Sequence, residues 1–465
     1  MPPKQGLYIG PRLRRLRRDL GLTQAGMASD LDISAPYVAL MERNQRPVTA
    51  DMLLRLARTY RLDVTELAGE DGEEHMARLQ AVLKDPIFAD IDLAPLELAD
   101  AIGSFPGIGE VLLRLHTAYR EEQLRLADLR AEGSPGGSDP VAEVRNFLAA
   151  RRNFFPALDA AAERLAAAVA EAGGMAAYLA GRHRLRVRRL PSDVMYGSLR
   201  RLDRHRREIL LDETLSASSQ AFQLAQQLAY LELEREIGDA LRDGGFSGDG
   251  GRRLAHRSLA SYAAAAMQMP YEAFARAAES RHYDVDVLAR LFSASFEQAA
   301  HRLTTLQKPG QERVPFFFIR VDEAGNVSKR LDGAGFPFGR HGGGCPLWSV
   351  HQVFRRPGEV VAQWLELPDG QRFFSVARTV SSGGGSFGEP RVERAVALGC
   401  AARHAERLVY ARQSGADPAR ATPIGIACGL CQRTACTARS EPPIGRQILP
   451  DDYRRTRAPF GFSDN

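Results

Sequence analysis

The sequence predicts a multidomain protein with an all-α head, an α+β middle domain and an α+β cysteine-rich C-terminal domain. Three observations predict it. Residues 10–69 read as short apolar helical repeats broken by glycine and capping residues. From residue 141, helical patterns mix with short alternating stretches such as "RHRLRVRRL". No cysteine precedes Cys345, yet Cys428, Cys431 and Cys436 follow one another as C-x2-C-x4-C. The 465 residues are enough for about three domains of roughly 150 each. A hydrophobic content of 44% and a charged content of 26% allow real cores. No apolar run approaches the ~18 residues of a membrane span. The N-terminal "MPPKQGLYIGPRLRRLRRDL" has no secretory apolar stretch. A cytoplasmic protein without membrane contact is therefore expected. The net charge of +5 permits nucleic-acid binding without requiring it. In a reducing compartment, clustered thiols point to metal or redox chemistry rather than disulfides.

The head is assigned to residues 1–70. Pro11 suits the first position of a helix bearing Leu13, Leu16 and Leu20. Gly21 stops that helix, and Thr23 caps the next. Ser34 caps a third helix, with Pro36 in its first turn and Val38, Leu40 and Met41 along it. Thr49 and Asp63 cap two more. Two helices joined by a short turn inside a five-helix bundle form the helix-turn-helix pattern. Residues 22–67 resemble the Xre/Cro family of DNA-binding domains, with Thr23-Gln24 opening helix two and Glu42-Arg43-Asn44 closing helix three. The resemblance implies that helix three enters the major groove of a double-stranded operator. Gln24, Ala35, Pro36, Tyr37 and Arg43 would then face bases or phosphates. Arg12, Arg14, Arg15, Arg17 and Arg18 are expected on the DNA backbone, whose neutralisation supplies much of the affinity. The alternative is a solvated basic face on an ordinary bundle.

Residues 71–140 read as a helical connector and linker. Leu112, Leu115, Tyr119 and Leu124 lie at helical spacing. Such a helix either pairs two chains, giving the homo-oligomer that suits a palindromic site, or packs within one chain. "AEGSPGGSDP" (131–140) reads as a flexible linker.

The middle domain is assigned to residues 141–308. "LDAAAERLAAAVAEAGGMAAYLAG" reads as one long helix, "RHRLRVRRL" as a strand and "REILLDETL" as a strand entering a helix. With the helices that follow, these pieces resemble the ImmA/IrrE-type zinc metallopeptidase domain. That family uses His-Glu-x-x-His, where two histidines on one helix face hold zinc and the glutamate activates water. Here the matching positions are Gln226, Gln227 and Tyr230, and the acidic ligand falls on Leu259. Glutamine is a poor zinc ligand and no general base at neutral pH. A degenerate zincin-like scaffold without catalytic residues is expected, its cleft suited to a regulatory ligand. Arg182, Arg184, Arg186, Arg188, Arg189, Arg200 and Arg201 either meet a phosphorylated ligand or form a solvated face.

The C-terminal domain is assigned to residues 309–465. "VPFFFIRVDEAGNVSKRL" reads as two strands turned at Gly325-Asn326, and "VVAQWLELPDGQRFFSVARTV" as a hairpin turned at Asp369-Gly370. "EPRVERAVALGCAARHAERLVYA" reads as a helix containing Cys400. Cys428, Cys431 and Cys436 are able to meet at one metal centre. The fourth ligand is Cys345, in a Gly-rich loop ahead of proline, or Cys400. Four thiolates suit structural zinc, which the spacing alone slightly favours, and also an iron–sulfur cluster.

"HGGGCPLWSVHQVF", "RAVALGCAARHAERLVYA" and "PIGIACGLCQRTACTARSEPP", behind the head and the degenerate middle domain, resemble the short-chain fatty-acyl-CoA regulator family. The resemblance implies a transcription factor, not an enzyme. It would sense short-chain acyl-CoA and control genes of propionyl-CoA or acetate/glyoxylate assimilation. It also implies a four-iron 4Fe-4S cluster, rather than zinc, on the C-terminal cysteines. The competing readings are a metallopeptidase that relieves repression and a zinc-stabilised DNA-binding protein with no acyl-CoA signal.

Overall fold

The computed structural model describes residues 10–43, 45–60, 71–83, 85–88, 91, 97–98, 106–132, 139–339, 344–383, 388, 391–449, 453 and 455–462. The chain forms two compact units, one comprising residues up to Leu126 together with Pro368–Gln371 and one comprising Ala127–Leu367 with Arg372–Phe462.

In the first unit, α1 (Gly10–Asp19), α2 (Gln24–Asp30), α3 (Ala35–Glu42) and α4 (Ala50–Tyr60) enclose a core of Leu13, Met27, Leu31, Val38, Met41 and Leu56. Thr23 Oγ1 accepts the Gly26 N–H at 3.0 Å and so starts α2; Ser34 does the same for α3 through Tyr37. The α2–α3 turn passes through Asp32 at φ 52, a left-handed position that Asp tolerates. Leu20 and Leu40, expected inside, are 40% and 36% exposed; the helical period carries them off the core face. The helix expected after Asp63 lies outside the described residues. Next come α5 (Asp71–Leu83) and the long α6 (Pro106–Glu132). A small separate core joins Leu79, Val82, Leu98 and Leu113. Leu113 faces inward, whereas Leu115 is 64% exposed. Most of the expected linker, 133–138, lies outside the described residues.

In the second unit, α7 (Pro140–Ala150), α8 (Pro156–Glu171) and α9 (Met175–His183) come first. The single long helix expected here is broken between α8 and α9, where Gly173 and Gly174 adopt φ 87 and 113, angles the helix cannot continue through. Next come β1 (Arg186–Leu190), short α10 (Ser192–Met195), β2 (Arg200–Asp203) and β3 (Glu208–Asp212). They form a sheet of order β1-β3-β2, with β1 parallel and β2 antiparallel to β3. α11 (Ala217–Glu232), α12 (Glu234–Leu241) and α13 (Asp249–Gln268) cover it over an apolar core.

Three helices follow: α14 (Tyr271–Ser280), α15 (Val285–Leu291) and α16 (Phe296–Leu303), the last opened by a Ser295/Gln298 capping box. They pack on one face of a six-stranded sheet of order β5-β4-β8-β7-β6-β9. Its strands are β4 (Phe317–Val321), β5 (Val327–Leu331), β6 (Val361–Glu366), β7 (Arg372–Gly383), β8 (Arg391–Ala401) and β9 (Thr422–Pro423). Helix α17 (Val409–Gln413) lies between β8 and β9. Phe336, Phe338, Cys345, Trp348 and Val353 cover the other face. Both expected hairpins are present, as β4–β5 and β6–β7.

The helix expected around Cys400 is instead strand β8, paired antiparallel to β4 and β7. A strand buried on both faces loses its period-two signal, and its alanine content then imitates a helix.

At the junction of middle and C-terminal segments, Arg302 is fully buried. It donates to both Asp159 oxygens at 2.8 and 3.1 Å and to the Met269 carbonyl at 3.0 Å. Tyr262 also donates to Asp159. This ties α8, α13 and α16 into one body.

Candidate functional site

The cysteine cavity is assembled at one edge of the six-stranded sheet. β9 pairs parallel with β6, and the Ile424 N–H donates to the Glu366 carbonyl at 2.9 Å. The chain then passes Gly425 and turns through Cys428–Leu430 to Cys431. The Cys345 loop arrives separately, anchored where Trp348 Nε1 donates to Ser375 Oγ at 3.1 Å. Gln363 bridges the two loops, donating from Nε2 to the Leu347 carbonyl at 2.9 Å and to Thr422 Oγ1 at 3.0 Å. Cys345, Cys428, Cys431 and Cys436 all line one cavity, with Pro346, Gly425, Arg433 and Arg439 among the other walls.

The Cys345 sulfur is buried, and burial favours its neutral form over the thiolate. Burial pushes the Cys345 thiol up, the Gly425 and Leu347 backbone N–H groups hold it down, and Cys431 and Cys428 push it up again. The Ser440 N–H lies 3.4 Å from Cys428 Sγ as a donor. Gly425 is glycine for a steric reason: an added Cβ would lie 2.8 Å from both Cβ and Sγ of Cys431. Among the described residues, no three His, Cys, Asp or Glu side chains converge closely enough for one metal ion. Two wall residues, Arg433 and Arg439, have a buried Nε without a hydrogen-bond partner. Four thiol donors and two unsatisfied guanidinium N–H groups fit a thiolate-ligated inorganic centre that carries its own acceptor atoms.

Cys400 sits apart. Along β8, Val396, Leu398 and Cys400 join the core on the helical face. Ala395 and Ala397 join the Cys345 side, and a Cβ on Gly399 would strike Phe317 there. Burial pushes the Cys400 thiol up to about 12, as for a structural thiol.

In the middle domain, the positions aligned with the zinc site are filled by side chains that hydrogen-bond, stack or pack in the core. Gln226 Nε2 donates to Ser261 Oγ at 2.8 Å, and its Oε1 faces Arg200 at 3.4 Å. Gln227 is buried, Tyr230 stacks on His256 at 5.7 Å, and Leu259 lies wholly in the core. Arg200 donates to the Gln223 carbonyl at 2.6 Å and lies 5.5 Å from the Tyr230 ring centre. Burial, reinforced by Arg257, holds Arg200 below the usual guanidinium range, partly offset by Tyr230. Of the other arginines on the expected basic face, Arg186 and Arg188 pair with Glu208 at 3.3 Å, and Arg189 donates to Gln220.

In the head, Pro36 and Arg43 are exposed, while Ala35 and Tyr37 are half-buried against the core. Gln24 Nε2 donates to Glu42 at 2.7 Å. Arg17, expected on the DNA backbone, is instead held inside by Glu42 at 2.5 Å, and Arg14 and Arg18 stay exposed. Burial raises the Glu42 carboxyl, but Arg17, Gln24 and Arg14 together bring it below its usual range.

A helix-turn-helix bundle ahead of this two-part unit defines a transcriptional regulator, and the comparisons agree. Three family profiles match: a helix-turn-helix domain over residues 9–68, an IrrE N-terminal-like domain over 180–304, and the short-chain fatty acyl coenzyme A regulator C-terminal domain over 305–460. The chain is 39% identical to a propionyl-CoA carboxylase regulator of Cereibacter sphaeroides, covering 99% of this chain and 100% of that one. It is 38% identical to the HTH-type transcriptional regulator RamB of Mycobacterium tuberculosis, covering 97% and 98%. A solved Mycobacterium tuberculosis transcriptional regulator superposes with a TM-score of 0.64 at 36% identity, covering 70% of this chain and all of that one. The protein belongs to the short-chain fatty acyl coenzyme A regulator family. No helix among the described residues is long and apolar enough to cross a membrane.

Sequence reasoning paired the three C-terminal cysteines with either of two partners. It passed over Gly425, Gln363, Arg433 and Arg439. The "PIGIAC" glycine ahead of Cys428 was a legible signal, since glycine beside a ligand marks a close approach.

Proposed function

We propose that this chain is a cytoplasmic regulator that binds operator DNA through α3, responds to a short-chain acyl-CoA and carries a 4Fe-4S cluster on Cys345, Cys428, Cys431 and Cys436. The observation that carries the cluster assignment is the single cavity shared by four thiols and two unsatisfied guanidinium Nε–H groups. When bound, such a centre supplies a redox- and oxygen-sensitive element. The residues here would hold it: Gln363 fixes the two loops against each other, and backbone N–H groups reach the Cys345 and Cys428 sulfurs.

The acyl-CoA assignment rests on the family and on a relative named for propionyl-CoA carboxylase. The regulated genes are accordingly those of propionyl-CoA or acetate/glyoxylate assimilation. Within the middle domain, Arg200 suits the anionic end of such a ligand, because its partners are amide oxygens rather than carboxylates. Signalling is a population shift: the acyl-CoA binds one arrangement of the chain better and so changes operator affinity.

The regulator acts as a homodimer, which two operator half-sites require. Ile108, Val111 and Leu115 recur at i, i+3 and i+7 on α6, each 63–64% exposed, and supply an apolar stripe for a second copy. Operator affinity measured with and without propionyl-CoA tests the sensing role. A several-fold change supports it, and operator affinity left unchanged by acetyl-, propionyl- and butyryl-CoA alike removes it.

A further inference from the structure

Arg439 follows the last cysteine by three positions and is only 4% exposed. One terminal nitrogen donates to the carbonyls of Cys428 at 2.9 Å and Glu441 at 3.1 Å. The other donates to the carbonyls of Cys431 at 2.8 Å and Arg433 at 2.9 Å. A single guanidinium therefore gathers the backbone of two thiol-bearing residues and of Arg433 and Glu441. Phe462 covers it, the guanidinium carbon lying 5.0 Å from the ring centre. Its Nε is buried without a partner, and the side chain is part of the cavity wall.

This arrangement is expensive unless something else occupies the cavity. All four partners are carbonyl oxygens, which orient a guanidinium without neutralising it. A buried charge lacking its counter-charge is strongly unfavourable. Four thiolates around an iron–sulfur centre leave a net negative charge in the same cavity, and hydrogen bonds and nearby charge set the potential of such centres.

We propose that Arg439 is the positioning residue of the cysteine site. It holds Cys428 and Cys431 in register through their carbonyls, and its positive charge and free Nε–H offset the negative charge of the thiolate-ligated centre. This rests on the iron–sulfur reading given above.

The test compares full-length wild type, Arg439→Lys and Arg439→Gln, purified without oxygen, by iron and sulfide content and by spectroelectrochemical reduction potential. Lysine keeps the charge but is a point donor that cannot span four carbonyls. Arg439→Lys is expected to hold several-fold less iron at close to the wild-type potential. Arg439→Gln is expected to hold still less, and its remaining centres shift to a more negative potential. Both variants at wild-type iron content overturn the positioning role. Equal potentials in Arg439→Gln and wild type overturn the charge role. If Arg439→Gln does not accumulate folded, Arg439→Lys decides alone: wild-type iron content or a clearly displaced potential overturns the proposal. Wild type without iron overturns the underlying reading itself, whatever the variants do.

Discussion

Replacing Gly425 with alanine isolates the geometry of the cysteine cavity from its chemistry. The added Cβ would lie 2.8 Å from the Cβ and Sγ of Cys431. Carbon atoms settle at about 3.5–4.0 Å, so Cys431 must retreat by roughly 0.7 Å or more. Metal–ligand distances hold within about 0.2 Å, so the retreat exceeds what ligation tolerates. Overpacking of this size costs about 1–3 kcal/mol. That is a modest loss for a unit with cores on both faces of its large sheet. Gly425→Ala is therefore expected to fold with a melting point only a few degrees lower while losing most of its iron. The assay is iron and sulfide content beside a thermal melt and far-UV circular dichroism. Wild-type iron content in a folded Gly425→Ala protein would refute the reasoning, because Cys431 would then not be held where a ligand must be.

Other perturbations separate the parts of the account. Cys345→Ser should strip the centre, whereas Cys400→Ser should retain it, since Cys400 lies on the opposite sheet face; iron analysis of the two variants checks this. Asp159→Asn leaves the fully buried Arg302 without its counter-charge and should cost about 3–5 kcal/mol, read by denaturant unfolding. His301 is held well below its usual pKa by burial, with Lys329, Arg302 and Arg320 adding to it. The unfolded chain then binds a proton that the folded chain refuses, so stability falls as pH drops below about 6.5. Melts from pH 8 to 5 should show that slope flattened in His301→Gln. Leu115→Glu should lower operator affinity and yield monomers by light scattering, since it places a charge in the exposed stripe of α6.

The sequence was most legible where local chemistry decides structure. Thr23 and Ser34 announced the second and third helices, and they cap them. Asp369-Gly370 announced the β6–β7 hairpin, with Gly370 at φ 82. Legibility failed where burial erases periodicity. β8 carries apolar residues on consecutive positions because both of its faces are covered, and so it read as a helix. That one misreading kept Cys400 available as a ligand, since a helix does not separate neighbours onto opposite faces as a strand does. The break at Gly173-Gly174 was visible as residues but not as a boundary, because the alanine-rich flanks continue the helical pattern. Arg439 and Arg17 illustrate a different limit. Composition counts an arginine as surface charge, and only the fold shows one inside, bound to carbonyls or to a buried carboxylate.

The central claim is that four cysteines from two loops hold an iron–sulfur centre in a DNA-binding regulator. Anaerobic purification followed by iron, sulfide and zinc analysis tests it most directly. The account predicts about four iron and four sulfide per chain, with Cys345→Ser reducing both. One zinc per chain without sulfide would contradict it and make the cysteine cavity a structural clamp.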